Sequence, residues 1–162
     1  ITSGIKHNSG DVHGCMRPRY LKEHHTWIER GGTAPPMVQY MTGVWETAWK
    51  GKIALLQKDW LAFGVLMNKN HQLVNEMMKY CGFEDGAGWA NNRLIETALE
   101  NGALGAKLTG AGGGGSVFAL TMPGDEHKLV QAWEKDAKAA GLGDARVFLP
   151  KISSQGLQVQ KY

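Results

Sequence analysis

The chain has 162 residues, of which 43% are hydrophobic and 20% charged, as is typical of a single ordinary globular domain. Its formal net charge of +3 is too small to indicate nucleic-acid binding by itself. No apolar run reaches the length of a membrane span, no signal peptide is visible, and Cys15 and Cys81 lack the spacing of a disulfide framework or a metal site. We therefore expect a cytoplasmic protein that has no nucleic-acid or membrane partner. Because the chain begins at Ile1 and its first methionine is Met16, we also expect it to be part of a longer protein.

The first third of the chain is predicted to hold a short strand, a polar loop and a helix. Residues 1–5 have a β-like composition broken at Gly4, and residues 6–13 mix glycine with polar side chains, which is typical of a loop. Residues 20–29 carry apolar side chains at helical spacing. The glycines and prolines of residues 31–36 end this helix.

Two long helices are predicted next. Apolar residues recur at helical spacing from Met37 to Leu56, and Asp59 is placed to cap a further helix whose apolar face continues to Met78. We interpret the methionine and aromatic side chains on these faces as core packing.

Strands and helices alternate in the last third. Helices are predicted at residues 91–100 and 125–139, and strands on both sides of a glycine-rich segment and again at residues 145–149 and 156–160. Helices followed by strands that alternate with helices indicate an α+β domain with two layers and an antiparallel sheet.

The glycine-rich segment is the strongest chemical signal in the sequence. Five of the six residues from 110 to 115 are glycine, and successive exposed N–H groups in such a loop form a concavity that binds anions. A plain hairpin turn is the alternative, but a turn needs fewer glycines. We therefore predict a phosphate-binding loop whose cofactor-binding residues are Gly110, Ala111, Gly112, Gly113, Gly114, Gly115 and Ser116.

The two common nucleotide motifs fit this loop poorly. Residues 110–115 satisfy the G-x-G-x-x-G pattern, but that pattern should open a helix. Here Ser116 leads into the apolar, β-like run that ends at Thr121, so the loop joins two strands. A P-loop would have lysine where Ser116 stands.

One family does match. Residues 105–116, Gly-Ala-Lys-Leu-Thr-Gly-Ala-Gly-Gly-Gly-Gly-Ser, closely resemble the third signature motif of the GHMP kinases, which include galactokinase, homoserine kinase, mevalonate kinase and phosphomevalonate kinase. Residues 59–71 resemble a second family pattern, D-…-F-G-x-L-M-x-x-S-H. Ser116 departs from the cysteine that is usual in the mevalonate kinase branch. The resemblance implies that residues 1–162 form the ferredoxin-like C-terminal domain of such a kinase. It also implies that the loop closes over the phosphates of ATP, which is used together with Mg²⁺.

The resemblance also implies an acceptor site near the start of the chain. Residues 3–8, Ser-Gly-Ile-Lys-His-Asn, are similar to the segment that leads to the acceptor sugar in galactokinases, and the ending from Gly156 resembles heptose- and fucose-type kinases. Polar side chains in this region suit a ligand with many hydroxyl groups. We predict that the substrate is a sugar or sugar phosphate, bound by Lys6, His7, Asp11 and His13. The amino-acid sequence of the glycine loop, however, is shared with mevalonate kinases. Residues 82–89 also depart from the family pattern.

The other two family motifs are not found in this sequence, and with them are missing the nucleotide loop, the aspartate that acts on the acceptor hydroxyl and the magnesium ligands. We therefore expect no catalytic residue and no metal ligand here, an N-terminal kinase domain as partner, and no activity of this chain alone. A mevalonate- or phosphomevalonate-type kinase and a non-catalytic sensor on the same fold are the alternatives.

An RNA-binding module would need exposed aromatic side chains on its strands, but Phe118 and Phe148 lie in apolar runs and are expected in the core.

Overall fold

The computed structural model describes residues 1–151 and residue 156. In this part of the chain it contains five helices and two strands, in the order α1 (Ser9–Arg30), α2 (Pro36–Leu56), α3 (Trp60–Tyr80), α4 (Trp89–Glu100), β1 (Gly105–Thr109), β2 (Ser116–Leu120) and α5 (Glu126–Ala139). The predicted α+β class is confirmed. None of these helices is both long and apolar enough to span a bilayer.

Helix α1 begins much earlier than the sequence predicts. The side chain of Asn8 caps it by accepting a hydrogen bond from the Gly10 N–H at 3.0 Å and donating one to Asp11 Oδ1 at 3.0 Å. Val12 is buried on the inner face of this first turn. The predicted loop at residues 6–13 is therefore wrong from Ser9 onward, because one capping side chain and one buried valine are enough to begin the helix.

Helices α2 and α3 are joined by a turn of three residues. As predicted, Asp59 caps α3, and its Oδ1 accepts a hydrogen bond from the Ala62 N–H at 2.9 Å. Further along α3, Asn68 covers the open edge of β1, where its Oδ1 accepts the Ala106 N–H at 2.8 Å. Helix α3 thus covers this edge of β1, which is one way in which proteins protect an edge strand from pairing with another chain.

The sheet is smaller than predicted. Strands β1 and β2 pair antiparallel with Leu108 opposite Val117, and Thr2 forms isolated bridges with both Ser116 and Arg146. The predicted strands at residues 1–5 and 145–149 are therefore each reduced to a single bridging residue. Apart from residue 156, the predicted strand at 156–160 lies outside the described residues.

The main core lies between the sheet and the helices α4 and α5. It is formed by buried apolar side chains from all four elements, including Leu94, Ala98, Ala106, Val117 and Trp133. The indole N–H of Trp133 donates to the Leu94 carbonyl at 2.7 Å, which ties α5 to α4.

Two aromatic residues expected in the core are exposed. Phe118 is 43% exposed and Phe148 is 65% exposed. Successive side chains of a strand point to opposite faces, so the burial of Val117 beneath α4 and α5 places Phe118 on the other face. The core prediction is wrong for both.

Candidate functional site

The glycine loop connects β1 to β2 and has a backbone that requires glycine. Gly110, Gly112, Gly113 and Gly115 all have φ between 82° and 89°, a conformation that other residues rarely adopt. Space is also limited. A Cβ at Gly112 would lie 2.8 Å from the Sδ atom of Met78.

The loop is held from three sides by hydrogen bonds to its backbone. The Gly113 N–H donates to the Ala87 carbonyl at 2.9 Å, and the Gly114 carbonyl accepts from Asn91 Nδ2 at 2.8 Å. The Gly115 carbonyl accepts from the Ser3 N–H at 2.7 Å and from the hydroxyl of Thr2 at 3.3 Å. The loop is therefore a fixed structure rather than a loose turn.

Several N–H groups of the loop form no hydrogen bond with the part of the chain that the structure describes. Among the described residues, those of Gly110, Ala111, Gly112 and Gly114 donate to no protein acceptor. Gly110 is exposed and Ala111 half-buried, whereas Gly112 and Gly114 are buried. Buried backbone donors are nearly always paired with protein, water or a ligand. The loop thus offers a group of donors that an anion could satisfy.

The loop rests on a small apolar cluster that also holds the start of α1. Val12, Met78, Ala87 and Leu108 form this cluster, and Ala111 packs against it. Because Val12 is part of the cluster, the first turn of α1 and the glycine loop lie on the same side of the domain.

Of the four residues predicted to bind the substrate, His7 lies directly against the loop. A Cβ at Gly115 would lie 3.0 Å from Cε1 of His7, and the Gly115 N–H points to the Ile5 carbonyl at a long 3.4 Å. Lys6, the residue before His7, is exposed.

The other two predicted acceptor residues lie on α1 rather than in a loop. Asp11 and His13 are both exposed and flank the buried Val12. Asp11 is hydrogen-bonded to Asn8. In the described part of the chain neither Asp11 nor His13 forms a hydrogen bond with the glycine loop. Their neighbour Val12, which belongs to the cluster beneath the loop, is what brings Asp11 and His13 toward the loop.

A half-buried polar network beside the loop was missed by sequence reasoning. Asn75 Oδ1 accepts from the Ala87 N–H at 2.9 Å and from Asn92 Nδ2 at 3.0 Å, and Asn92 Oδ1 lies 3.1 Å from Nε2 of His71. Burial lowers the pKa of His71 from its ordinary value, against the opposing effect of the Asn92 hydrogen bond. The network holds the segment that carries the Ala87 carbonyl. Asparagine on the apolar face of a predicted helix is the sequence signal that could have revealed it.

Lys107, in the middle of β1, lies on the sheet face opposite α4. Its Nζ is 5.6 Å from the centroid of the Phe118 ring, and burial lowers its pKa from the ordinary lysine value. No three His, Cys, Asp or Glu side chains among the described residues come together as metal ligands. Kinases usually hold Mg²⁺ with one or two carboxylates together with phosphate oxygens, so this finding excludes only a site built from three such side chains among the described residues.

Comparisons with known proteins agree with this arrangement. Residues 90–139, which include all but the first residue of α4, the glycine loop and α5, match the family model described as GHMP kinases C terminal. The chain is 36% identical over 150 residues to the mevalonate kinase of Thermococcus sibiricus, covering 91% of this chain and 40% of that protein. It is 30% identical over 128 residues to "Probable glucuronokinase 2" of Arabidopsis thaliana, covering 79% of this chain and 31% of that protein.

A solved structure has the same fold. The crystal structure of L. major mevalonate kinase in complex with R-mevalonate matches 85% of this chain and 37% of its own, with a TM-score of 0.64 and 21% sequence identity. The chain thus spans well under half the length of each of these proteins. The family model and the curated relatives agree: the chain belongs to the GHMP kinase superfamily, and its residues 90–139 match the C-terminal part of that family.

Proposed function

We propose that this chain is the loop-bearing C-terminal part of an ATP-dependent kinase that transfers the γ-phosphoryl group to a hydroxyl of a small molecule. The observation that carries the proposal is the group of N–H donors at Gly110, Ala111, Gly112 and Gly114, which have no protein acceptor among the described residues. Phosphate oxygens are strong acceptors, and convergent backbone N–H groups are a common way to bind them.

The loop's contribution is positioning and neutralisation of charge. Phosphoryl transfer depends largely on these two effects, because charge is spread over the oxygens of the transferred group. Backbone donors that are already held in place require no reorganisation when this charge develops. In the predicted set, the Gly115 N–H donates to the Ile5 carbonyl at a long 3.4 Å and the Gly113 N–H donates to the Ala87 carbonyl at 2.9 Å. Gly113 therefore has no N–H left for a ligand. It contributes the shape of the loop rather than a donor.

We propose a sugar or sugar phosphate as acceptor. His7 lies against the loop, and the exposed Lys6, Asp11 and His13 surround the same end of the domain with polar groups. A polyhydroxylated ligand needs a partner for each buried hydroxyl, and one relative is named a glucuronokinase. Mevalonate is the competing acceptor, because other relatives are named mevalonate kinases.

The remaining machinery belongs to an N-terminal domain outside this chain. That domain would supply the nucleotide loop, the residue that acts on the acceptor hydroxyl and the ligands of Mg²⁺, so the chain alone is expected to be inactive. Cys15 and Cys81 are free thiols, which suits a cytoplasmic location. A sensor that binds a ligand without catalysis is the second candidate, and it would retain the loop but show no turnover.

The test is phosphoryl transfer by the complete protein that contains this chain. ADP release would be measured with ATP and a panel of hexoses, uronic acids, heptose phosphates and mevalonate. We expect the highest kcat/KM with a sugar or sugar phosphate. A clear preference for mevalonate would overturn the acceptor assignment, and binding of ATP with no turnover on any acceptor would favour the sensor. The chain alone should show no turnover.

A further inference from the structure

We infer that Asn91 is a positioning residue that fixes the glycine loop for phosphoryl transfer, an inference that rests on the function proposed above. Asn91 lies in the first turn of α4 and is completely buried. Its Nδ2 group donates one hydrogen bond to the Ala87 carbonyl at 2.9 Å and another to the Gly114 carbonyl at 2.8 Å. Both partners are acceptors, so the orientation of the amide is determined.

These hydrogen bonds form a closed circuit around the loop. The Ala87 carbonyl accepts from both Asn91 and the Gly113 N–H. Two consecutive loop residues are thereby held by the start of α4, Gly113 through its N–H and Gly114 through its carbonyl. The buried Asn91 amide thus fixes the orientation of the backbone at Gly113 and Gly114.

Because the peptide bond is planar, the hydrogen bond from Asn91 to the Gly114 carbonyl also orients the N–H of Gly115. A carbonyl and the following N–H point in opposite directions across a trans peptide. When Asn91 holds the Gly114 carbonyl inward, the Gly115 N–H must point away from α4, toward Ile5 and His7. Its hydrogen bond to the Ile5 carbonyl is long, at 3.4 Å, so this donor can also serve a ligand. Asn91 therefore orients the donor that lies beside the predicted acceptor residue.

A role limited to capping α4 does not explain these contacts. A capping side chain accepts hydrogen bonds from helix N–H groups, whereas Asn91 donates to two carbonyls. Its Oδ1 atom is buried and has no partner among the described residues, which is unfavourable for a position that serves stability alone. The donor side of the Asn91 amide therefore serves the loop.

The experiment compares Asn91→Leu, Asn91→Ser and the control Thr97→Val in the complete kinase. Leucine has a similar volume but no donor, and serine is too short to reach Gly114. Thr97 is a largely buried residue on the same helix, and its hydroxyl donates to the Arg93 carbonyl rather than to the glycine loop. Hydrogen exchange would be followed over residues 110–116, together with kcat and the KM for ATP.

We expect exchange of the Gly113 N–H, which donates to the Ala87 carbonyl, to accelerate at least about tenfold in both Asn91 variants, and kcat to fall about tenfold or more while the KM for ATP changes less than about threefold. Thr97→Val should change none of these quantities. Unchanged exchange in either folded Asn91 variant would overturn the inference, as would faster exchange with normal kcat in a working kinase. If the complete wild-type protein transfers no phosphate at all, the proposed function fails and the catalytic role of Asn91 with it, while exchange still reports whether Asn91 holds the loop.

Discussion

Gly64 of α3 and Gly105 of β1 bring a helix and a strand into direct backbone contact. A Cβ at Gly105 would lie 2.6 Å from the Cα of Gly64, and a Cβ at Gly64 would lie 2.6 Å from the carbonyl carbon of Leu104. No real side chain atom tolerates such distances. This contact lets Asn68, one turn further along α3, reach the edge of β1, and β1 leads directly into the glycine loop.

We predict that Gly64→Ala destabilises the domain by roughly 2 kcal/mol or more, because the added methyl group must push rigid backbone aside. Gly51→Ala in α2 is the matched control. It has ordinary contact distances of 3.5 Å and more to the Phe63 ring, and alanine is the better helix former by about 0.5–1 kcal/mol. Urea denaturation would measure both free energies of unfolding. Equal stability of the two variants would show that α3 and β1 are not in backbone contact.

The second prediction concerns the pH dependence of stability. Burial lowers the pKa of His71 in the folded protein, so below its ordinary pKa of about 6.5 the unfolded chain binds a proton that the folded chain resists. The contribution of His71 to stability is therefore fully present above that pH and is lost as the pH falls toward the lowered value. Urea denaturation between pH 8 and pH 5 should give a steeper loss for the wild type than for His71→Gln. Identical slopes would contradict the burial of a neutral imidazole.

The third prediction concerns the acceptor. If His7 contacts the substrate beside Gly115, His7→Ala should raise the KM of the complete kinase for its acceptor by about tenfold, the loss of roughly one good hydrogen bond. The KM for ATP should change little. His25→Ala serves as control, because His25 is exposed in the C-terminal half of α1 and, among the residues that the structure describes, pairs only with Glu29. Equal acceptor KM values for the two variants would remove His7 from the site.

Much of the fold could be predicted because local signals and burial agreed. Asp59 precedes a long apolar face and does cap α3, and the glycines after Leu108 do separate two paired strands. The start of α1 was missed because its only apolar anchor is Val12, which is buried by the distant Met78 and Leu108. The exposure of Phe118 depends on which sheet face α4 and α5 cover, and strand composition does not contain that information.

For the candidate site too, some features could be predicted from the sequence and others could not. The proposal that residues 110–115 bind an anion follows from their composition alone. The supports of the loop do not, because Asn91, Asn75 and Ser3 reach it from segments distant in sequence. Asp11 and His13 were placed in a loop by composition, yet the cap at Asn8 puts them on a helix.

The most direct test of the central claim is the affinity of the complete kinase for ATP when a negative charge is placed in the loop. Ala111 is the residue of choice, since it has no positive φ and its N–H has no protein acceptor among the described residues. Its side chain is half-buried against the apolar cluster, so both variants are first checked for folding by circular dichroism. Gly113 is unsuitable because its φ of 84° would strain any replacement. Ala111→Asp and Ala111→Asn differ by one charge at nearly equal size. Calorimetric titration should show the Kd for ATP about tenfold or more higher in Ala111→Asp than in Ala111→Asn, through repulsion between the carboxylate and the phosphates. Equal affinities in the two folded variants would contradict the assignment of this loop to phosphate binding.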